Sequence, residues 1–253
     1  MAISIKSERE IELMRESCKI LAEVFRQVEQ AIRPGMSTAE LDAYGEKLIR
    51  SHGCIPNFLH YNGYPASLCI SVNDEVVHGI PRKDRFLQEG DIVSVDAGLI
   101  HKGYHSDMAR TFAVGEISEE AKALIERTRQ SFFDGIKMAK AGNHLYDISN
   151  AIDASIKPYG YGIVRDLVGH GIGSSLHEDP QIPNFAQHRR GPKLQAGMTL
   201  AVEPMINMGR ADVEWLDDDW TVVSEDGSLS AHYENTILIT DGEPEILTLY
   251  ENL

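Results

Sequence analysis

The sequence predicts an α/β (α+β) chain: one domain assembled from two similar halves, about residues 7–114 and 118–240. Three observations carry this. First, the order helix, helix, strands occurs twice along the chain. Second, Leu87-Gln88-Glu89-Gly90 through Val95-Asp96 recurs as Leu194-Gln195-Ala196-Gly197 through Val202-Glu203, an offset of 107 residues. The same offset carries Gly35 onto Gly142, Leu41 onto Ile148 and Gly53 onto Gly160. Third, both echoed strands end in an acid. Several matches at one offset argue for an old duplication over coincidence.

The first half opens with a helix over Ser7–Ile32. Ile11, Met14, Cys18, Leu21, Phe25 and Val28 recur at helical spacing, and Ser7 followed by Glu10 reads as a capping box. Pro34-Gly35 ends it. Ser37 or Thr38 caps a second helix over Thr38–His52, with Leu41, Tyr44, Leu48 and Ile49 as its apolar positions. Ser67–Val72 and Glu75–Val77 read as strands around an Asn73-Asp74 turn. Tyr61, Tyr64 and Cys69 could line an apolar pocket, although aromatics beside Gly and Pro often serve plain loop packing. His78 precedes Gly79 at a strand end.

Asp91–Leu99 and Tyr104–Val114 read as a hairpin around His101-Lys102-Gly103. With His101-Lys102 as a two-residue turn, Asp96 stands directly opposite Asp107; a Gly103 bulge would shift that register by one. Like charges facing each other across a ladder destabilise it unless a cation lies between them.

The second half repeats the plan, with helices over Ser118–Ala141 and His144–Lys157 and an echoed strand over Met198–Glu203, stopped by Pro204. Between them, Gly169, Gly171 and Gly173 surround His170, so backbone can approach closely there. Pro180 and Pro183 forbid the long helix that a dinucleotide fingerprint needs. His170 and His177 lack the spacing of a helical zinc motif or a zinc finger. Trp215–Asp226 reads as a solvated loop in which Trp220 could shape a pocket. Ser230–Thr240 ends in a strand with Glu234 just before its apolar run, an expensive place for an acid unless it is paired or coordinated.

Composition bounds the function. The 253 residues carry a net charge of −15, which argues against extended contact with nucleic acid. Met1–Ser7 lacks an export signal, and no apolar run is long enough to cross a membrane. Cys18, Cys54 and Cys69 are odd in number and lack CxxC spacing, as expected of reduced thiols in a cytoplasmic chain. The repeat makes Asp96 and Glu203 equivalent, the hairpin adds Asp107, and Glu234 is its counterpart on the strand after Glu203. Four clustered carboxylates carry about −4, which two divalent cations would neutralise. The alternative is a set of unrelated surface acids. Oxygen-rich ligation with one imidazole suits Mn, Fe or Co better than thiolate-type zinc, and paired metals suit hydrolysis.

The segments GHGIGSSLHEDPQIPNF, AGMTLAVEP and HYENTILIT, with YNGYPASLCISVNDEVVHGIP and VDAGLIHKGYHSD, resemble type I methionine aminopeptidase in its bacterial form. The resemblance implies the pita-bread fold: two pseudo-twofold-related halves sharing a central antiparallel sheet backed by helices. It implies two divalent metals (Co, Mn or Fe, with Zn as an alternative) on Asp96, Asp107, His170, Glu203 and Glu234. It implies catalytic roles for Glu203, His177 and His78, with a water or hydroxide between the metals attacking the carbonyl of an initiator methionine. The methionine pocket would comprise Phe58, Tyr61, Tyr64, Cys69, Leu176 and Trp220, flanked by His78 and His177. A monovalent cation, Na or K, would lie near Asn73, Glu75 and Ser230. The second substrate residue would be small, the enzyme monomeric and cytoplasmic, and the partners nascent polypeptide N-termini and the ribosome, with Arg189, Arg190 and Lys193 as the local basic patch. Leu176, His232 and Asn235 depart from the family's usual Phe, Gln and His. Rival readings are a proline-directed exopeptidase of the same fold, or a peptide-binding relative without catalysis.

Overall fold

The structure is a computed structural model that describes residues 3–250. In the first half, α1 (Glu8–Ala31) and α2 (Thr38–Ser51) precede β1 (Ile55–Pro56), β2 (Leu68–Val72), β3 (Glu75–Val77), β4 (Ile92–His101) and β5 (Tyr104–Ala113). In the second, α3 (Glu119–Ile136) and α4 (Leu145–Ile156) precede β6 (Gly162–Ile163), β7 (Gly169–Gly171), β8 (Glu178–Ile182) and β9 (Thr199–Val202). The remainder is β10 (Met205–Asn207), β11 (Val213–Trp215), β12 (Val222–Ser224), β13 (Ser230–His232), β14 (Glu234–Leu238) and β15 (Glu245–Ile246). No described helix is long and apolar enough to cross a membrane.

Both N-terminal helices start where their sequence signals lie. Ser7 and Ser37 accept from the backbone N–H of Glu10 and Glu40, whose carboxylates accept in return from the cap N–H groups. The second helix of the first half stops at Ser51, one residue before the expected His52. α3 ends at Ile136 and not at Ala141. Beyond it the chain unwinds to bury Ala139, and the N–H of Ala141 donates to the Thr240 carbonyl at 3.2 Å, so tertiary pairing replaces the last helical turn.

A nine-stranded antiparallel sheet runs β1-β4-β5-β14-β9-β7-β8, with β2 also paired to β4 and β15 to β14. Two three-stranded sheets, β13-β10-β6 and β11-β12-β3, lie beside it. Strand parity divides the labour of the central sheet. Val93, Val95, Ala97 and Leu99 of β4 pack with Leu21, Phe25, Leu41 and Ile49 of α1 and α2. Leu200, Val202 and Ile237 pack with Phe132, Ile148 and Ile152 of α3 and α4. The alternate residues, including Asp96 and Asp107, take the opposite face.

The register of the β4–β5 hairpin corrects the expectation. Asp96 faces Ala109, and Asp107 faces Gly98. The turn is Lys102-Gly103, with φ of 50° and 86°, closed by His101 and Tyr104. A two-residue turn of this hand needs positive φ at both central positions, so Gly103 sits inside the turn and not after it. The ladder therefore slips by two from the expected pairing, and a slip of two keeps both acids on one face.

The halves match in backbone detail. Gly35 and Gly142 have φ of 82° and 96°, and their N–H groups donate to Leu87 and Leu194, which are themselves related by the repeat. Isolated bridges Ser37 to Phe86 and His144 to Lys193 obey the same offset. An added Cβ meets nothing within 4 Å at Gly35 or Gly142, so Gly35→Ala and Gly142→Ala should each cost about 1 kcal/mol through backbone strain alone. Urea midpoints that fall together at constant m would bear this out; a large loss at only one site would show that the two turns are not equivalent.

Candidate active site

The acid-bearing face of the sheet opens into a cavity of about 240 Å³, lined among others by Asp96, Asp107, His170, Glu203 and Glu234. That volume equals roughly eight waters, room for one side chain with its backbone. Asp96 comes from β4, Asp107 from β5, His170 from β7 and Glu234 from the start of β14, while Glu203 lies one residue beyond β9. Continuing the β9–β14 register past Val202 and Asn235 brings Glu203 beside Glu234. Ligand atoms of Asp107, His170 and Glu234 lie within 4.8 Å of one another. His170 Nε2 is 3.7 Å from both Asp107 Oδ2 and Glu203 Oε1.

These groups suit divalent cations. His170 Nδ1 lies 2.8 Å from the Gly171 carbonyl, which can only accept, so Nδ1 carries the proton and Nε2 offers a lone pair to the cavity. Asp96 Oδ1, Asp107 Oδ1 and Glu234 Oε1 are buried without a hydrogen-bond partner. Glycine makes the approach possible: a Cβ on Gly171 would stand 2.2 Å from the Asp179 carbonyl oxygen, and one on Gly169 2.4 Å from that of Ala201.

Electrostatics agree. Burial raises the Asp96 carboxyl to about 7. Asp107 and Glu234 are pushed well up by burial and then by neighbouring carboxylates, and Glu203 by burial and then Asp96. Burial lowers His170 to about 3 and His78 to about 4, with His177 adding to both. His232, 1% exposed, falls to about 3 through burial; neither of its ring nitrogens has a hydrogen-bond partner, and Nε2 is 3.8 Å from Glu203 Oε2.

Beside the acids lies an aromatic pocket. Phe58, Tyr61, Tyr64, Cys69, Leu176 and Trp220 all line the cavity, as do His78 and His177. Tyr64 and Trp220 meet edge-on at 5.1 Å between centroids, and His78 lies edge-on to Trp220 at 6.3 Å. His177 packs on His170 at 4.2 Å. Asn73, Glu75 and Ser230 lie outside this cavity. The Ser230 N–H donates to the Asn73 carbonyl at 2.8 Å, and Glu75 accepts from the Val72 N–H at 2.7 Å.

Sequence reasoning missed several contributors. Val77, Leu167, Val168 and Met205 complete the wall, and nothing in their local pattern separates them from core residues. Asn184, fully buried, donates to the Glu203 carbonyl at 3.0 Å. Arg110, buried, donates to the Glu234 carbonyl at 2.5 Å; it stands in a strand of mixed polarity, where nothing local marks it as buried.

The carboxylates fix a pH dependence. Each holds its proton more tightly folded than unfolded, so its contribution to stability is lost as pH rises from the ordinary carboxylate range through its folded value. The lowered histidines act oppositely, destabilising the fold only toward acid, and above about 7 they are neutral in both states. Metal-free protein should therefore go on losing stability as pH rises past about 7, by up to about 1.4 kcal/mol per pH unit for each carboxyl still protonated. Saturating Mn²⁺ should flatten that slope in thermal melts. A flat metal-free profile would contradict the assigned shifts.

Comparison with known proteins agrees with this geometry. A model of metallopeptidase family M24 matches residues 12–241. A methionine aminopeptidase of Clostridium acetobutylicum is 55% identical over 249 residues, spanning 98% of this chain and 100% of the relative. The crystal structure of methionine aminopeptidase from Thermotoga maritima superposes with a TM-score of 0.96 at 43% identity, covering 98% of this chain and 100% of that one. An Xaa-Pro dipeptidase from Bacillus anthracis shares the fold at a TM-score of 0.80 and 26% identity, the match covering 98% of this chain and 63% of the dipeptidase. The chain thus belongs to metallopeptidase family M24 and, within it, to the methionine aminopeptidases.

Proposed function

We propose that this enzyme removes the N-terminal methionine from polypeptides whose second residue is small, acting in the cytoplasm as a monomer on nascent chains. The observation that carries the reading is the convergence of four carboxylates and one imidazole, drawn from both halves of the chain, beside an aromatic pocket. Asp96, Asp107, His170, Glu203 and Glu234 would hold two divalent ions, with Mn, Fe or Co suited to an oxygen-rich set and Zn as an alternative. Bound there, such ions supply Lewis acidity, polarising the scissile carbonyl and lowering the pKa of the attacking water.

The protein's own groups do the rest. Glu203, partly open to the cavity, accepts the proton released by the attacking water and passes it to the leaving amine. His177, at the exposed rim, hydrogen-bonds the scissile amide as negative charge develops on its oxygen. His78 holds the leaving-group side. Phe58, Tyr61, Tyr64, Cys69, Leu176 and Trp220 enclose the methionine side chain, whose thioether packs well against aromatic faces and sulfur. The carboxylate cluster also suits a free α-amino group, which an internal residue cannot offer. A monovalent cation near Asn73, Glu75 and Ser230 belongs to the same reading, supported by the contact between the first and last of these. Docking on the ribosome would use the exposed Arg189, Arg190 and Lys193.

Glu203→Gln and His170→Ala should each lower kcat/KM by roughly 10²-fold or more while the protein stays folded by circular dichroism. Wild-type turnover in either variant would remove the role given to that residue. Manganese-loaded enzyme should cleave Met-Ala-Ser in preference to Ala-Pro-Ala, and chelation should abolish that cleavage. Preference for Ala-Pro-Ala would replace this reading with a proline-directed exopeptidase, and no cleavage of either by loaded enzyme would point to a binding protein.

A further inference from the structure

Tyr61 is placed with care that its pocket role does not explain. It lies between His60 and Asn62, whose φ values of 68° and 49° put two consecutive-but-one non-glycine residues in the left-handed region. Both flanking residues are exposed, so their strained conformations are not repaid by their own burial. Short backbone bonds hold the turn: the Tyr61 N–H donates to Phe58, the Tyr64 N–H donates to Tyr61, and the His60 N–H donates to Tyr64, at 2.8–2.9 Å. Tyr64 pins the far end with its hydroxyl, whose single proton lies between the carbonyls of Leu68 and Gly79, each at 3.0 Å.

The turn carries the Tyr61 ring to the cavity wall and its hydroxyl to a histidine. The Tyr61 hydroxyl meets Nδ1 of His177 at 2.7 Å, with the two rings 5.3 Å apart. The other face of His177 is set by His170, whose ring lies at 4.2 Å and 66° to it. His177 is therefore held in orientation by a ring on one side and a hydroxyl on the other. A neutral imidazole can accept at Nδ1 only if its proton resides on Nε2.

We infer that Tyr61 is a positioning residue for catalysis: its hydroxyl donates to Nδ1 of His177 and thereby fixes the tautomer that presents Nε2–H to the substrate amide. The inference rests on the role given to His177 above. Without the hydroxyl the imidazole would divide between two tautomers, and only one of them could donate to the developing oxyanion. Because Tyr61 also lines the methionine pocket, the residue that touches the substrate side chain is the one that readies the histidine at the scissile bond.

Tyr61→Phe keeps the ring and removes only the hydroxyl, so it separates this role from packing. In zinc-loaded protein labelled with ¹⁵N-histidine, His177 should show the Nε2–H tautomer, identified by its loss in His177→Gln. Tyr61→Phe should convert it to a mixture. With manganese-loaded enzyme and Met-Ala-Ser, Tyr61→Phe should lower kcat about tenfold with KM and metal stoichiometry held. An Nδ1–H tautomer in the parent protein, or an unchanged tautomer and kcat in Tyr61→Phe, would overturn the inference. Full activity in His177→Gln would instead remove the underlying role of His177, whatever the tautomer shows.

Discussion

Four carboxylates facing one small cavity cannot all be ionised in a folded protein unless cations stand among them. Desolvation raises each of them, and mutual repulsion raises Asp107, Glu203 and Glu234 further. The fold answers only part of this with its own groups. Arg110 is buried close by, but its guanidinium is spent on the carbonyls of Ala109 and Glu234 and on Asn235 Oδ1, behind the strands. The lone pairs of Asp96, Asp107 and Glu234 thus remain unmatched. A folded chain that keeps such a cluster does so at a cost to its metal-free stability, and the cost is the measure of its appetite for divalent ions.

Sheet parity makes the cluster compatible with a hydrophobic core. On β4 and β9 the valines and leucines turn toward the helices while the acids and small residues turn away. Each helix pair closes its own apolar layer, so the polar face is left free for chemistry without opening the core. Where β5 meets β14 the halves are joined at their most symmetric point: Glu234 pairs with Ala109. The hydroxyl of Thr236 donates to the Asp107 carbonyl at 2.8 Å and accepts from its N–H at 3.2 Å.

The two halves share a backbone plan but not their side-chain chemistry. Asp96 and Glu203 hold equivalent positions, but Asp107 and Glu234 do not, because the position matching Glu234 across the repeat is occupied by Ala109. His170 has no imidazole counterpart either. It pairs with Ala201 as Ser71 pairs with Ser94, and Ala201 and Ser94 are related by the repeat. One half therefore carries a hydroxyl where the other carries an imidazole. Symmetric backbones carrying asymmetric side chains would give two bound ions, as proposed above, unlike surroundings, which suits a reaction whose two ends differ.

By itself the sequence determined the four long helices and the longer strands, because helical spacing, capping serines and strand alternation are local signals; the two- and three-residue strands, such as Val222–Ser224 within the stretch expected to be a loop, carry too few residues to show a period. It also determined the equivalence of Asp96 and Glu203, since an exact offset survives in the residue pattern. It placed Asp107 on the right face but in the wrong register, because parity is a local property whereas register depended on which residues took positive φ in the turn. The roles of His170 and His177 were legible through resemblance, not through spacing, as their partners lie on distant strands; the aromatic residues suggested a pocket locally, but only resemblance assembled them into one. Tertiary structure alone decided that Arg110 and Asn184 hold the carbonyls behind two of the acids, and that Tyr61 reaches His177 across 116 residues of chain. Such contacts arise from how separate loops and strands pack, and no short stretch of sequence contains both partners.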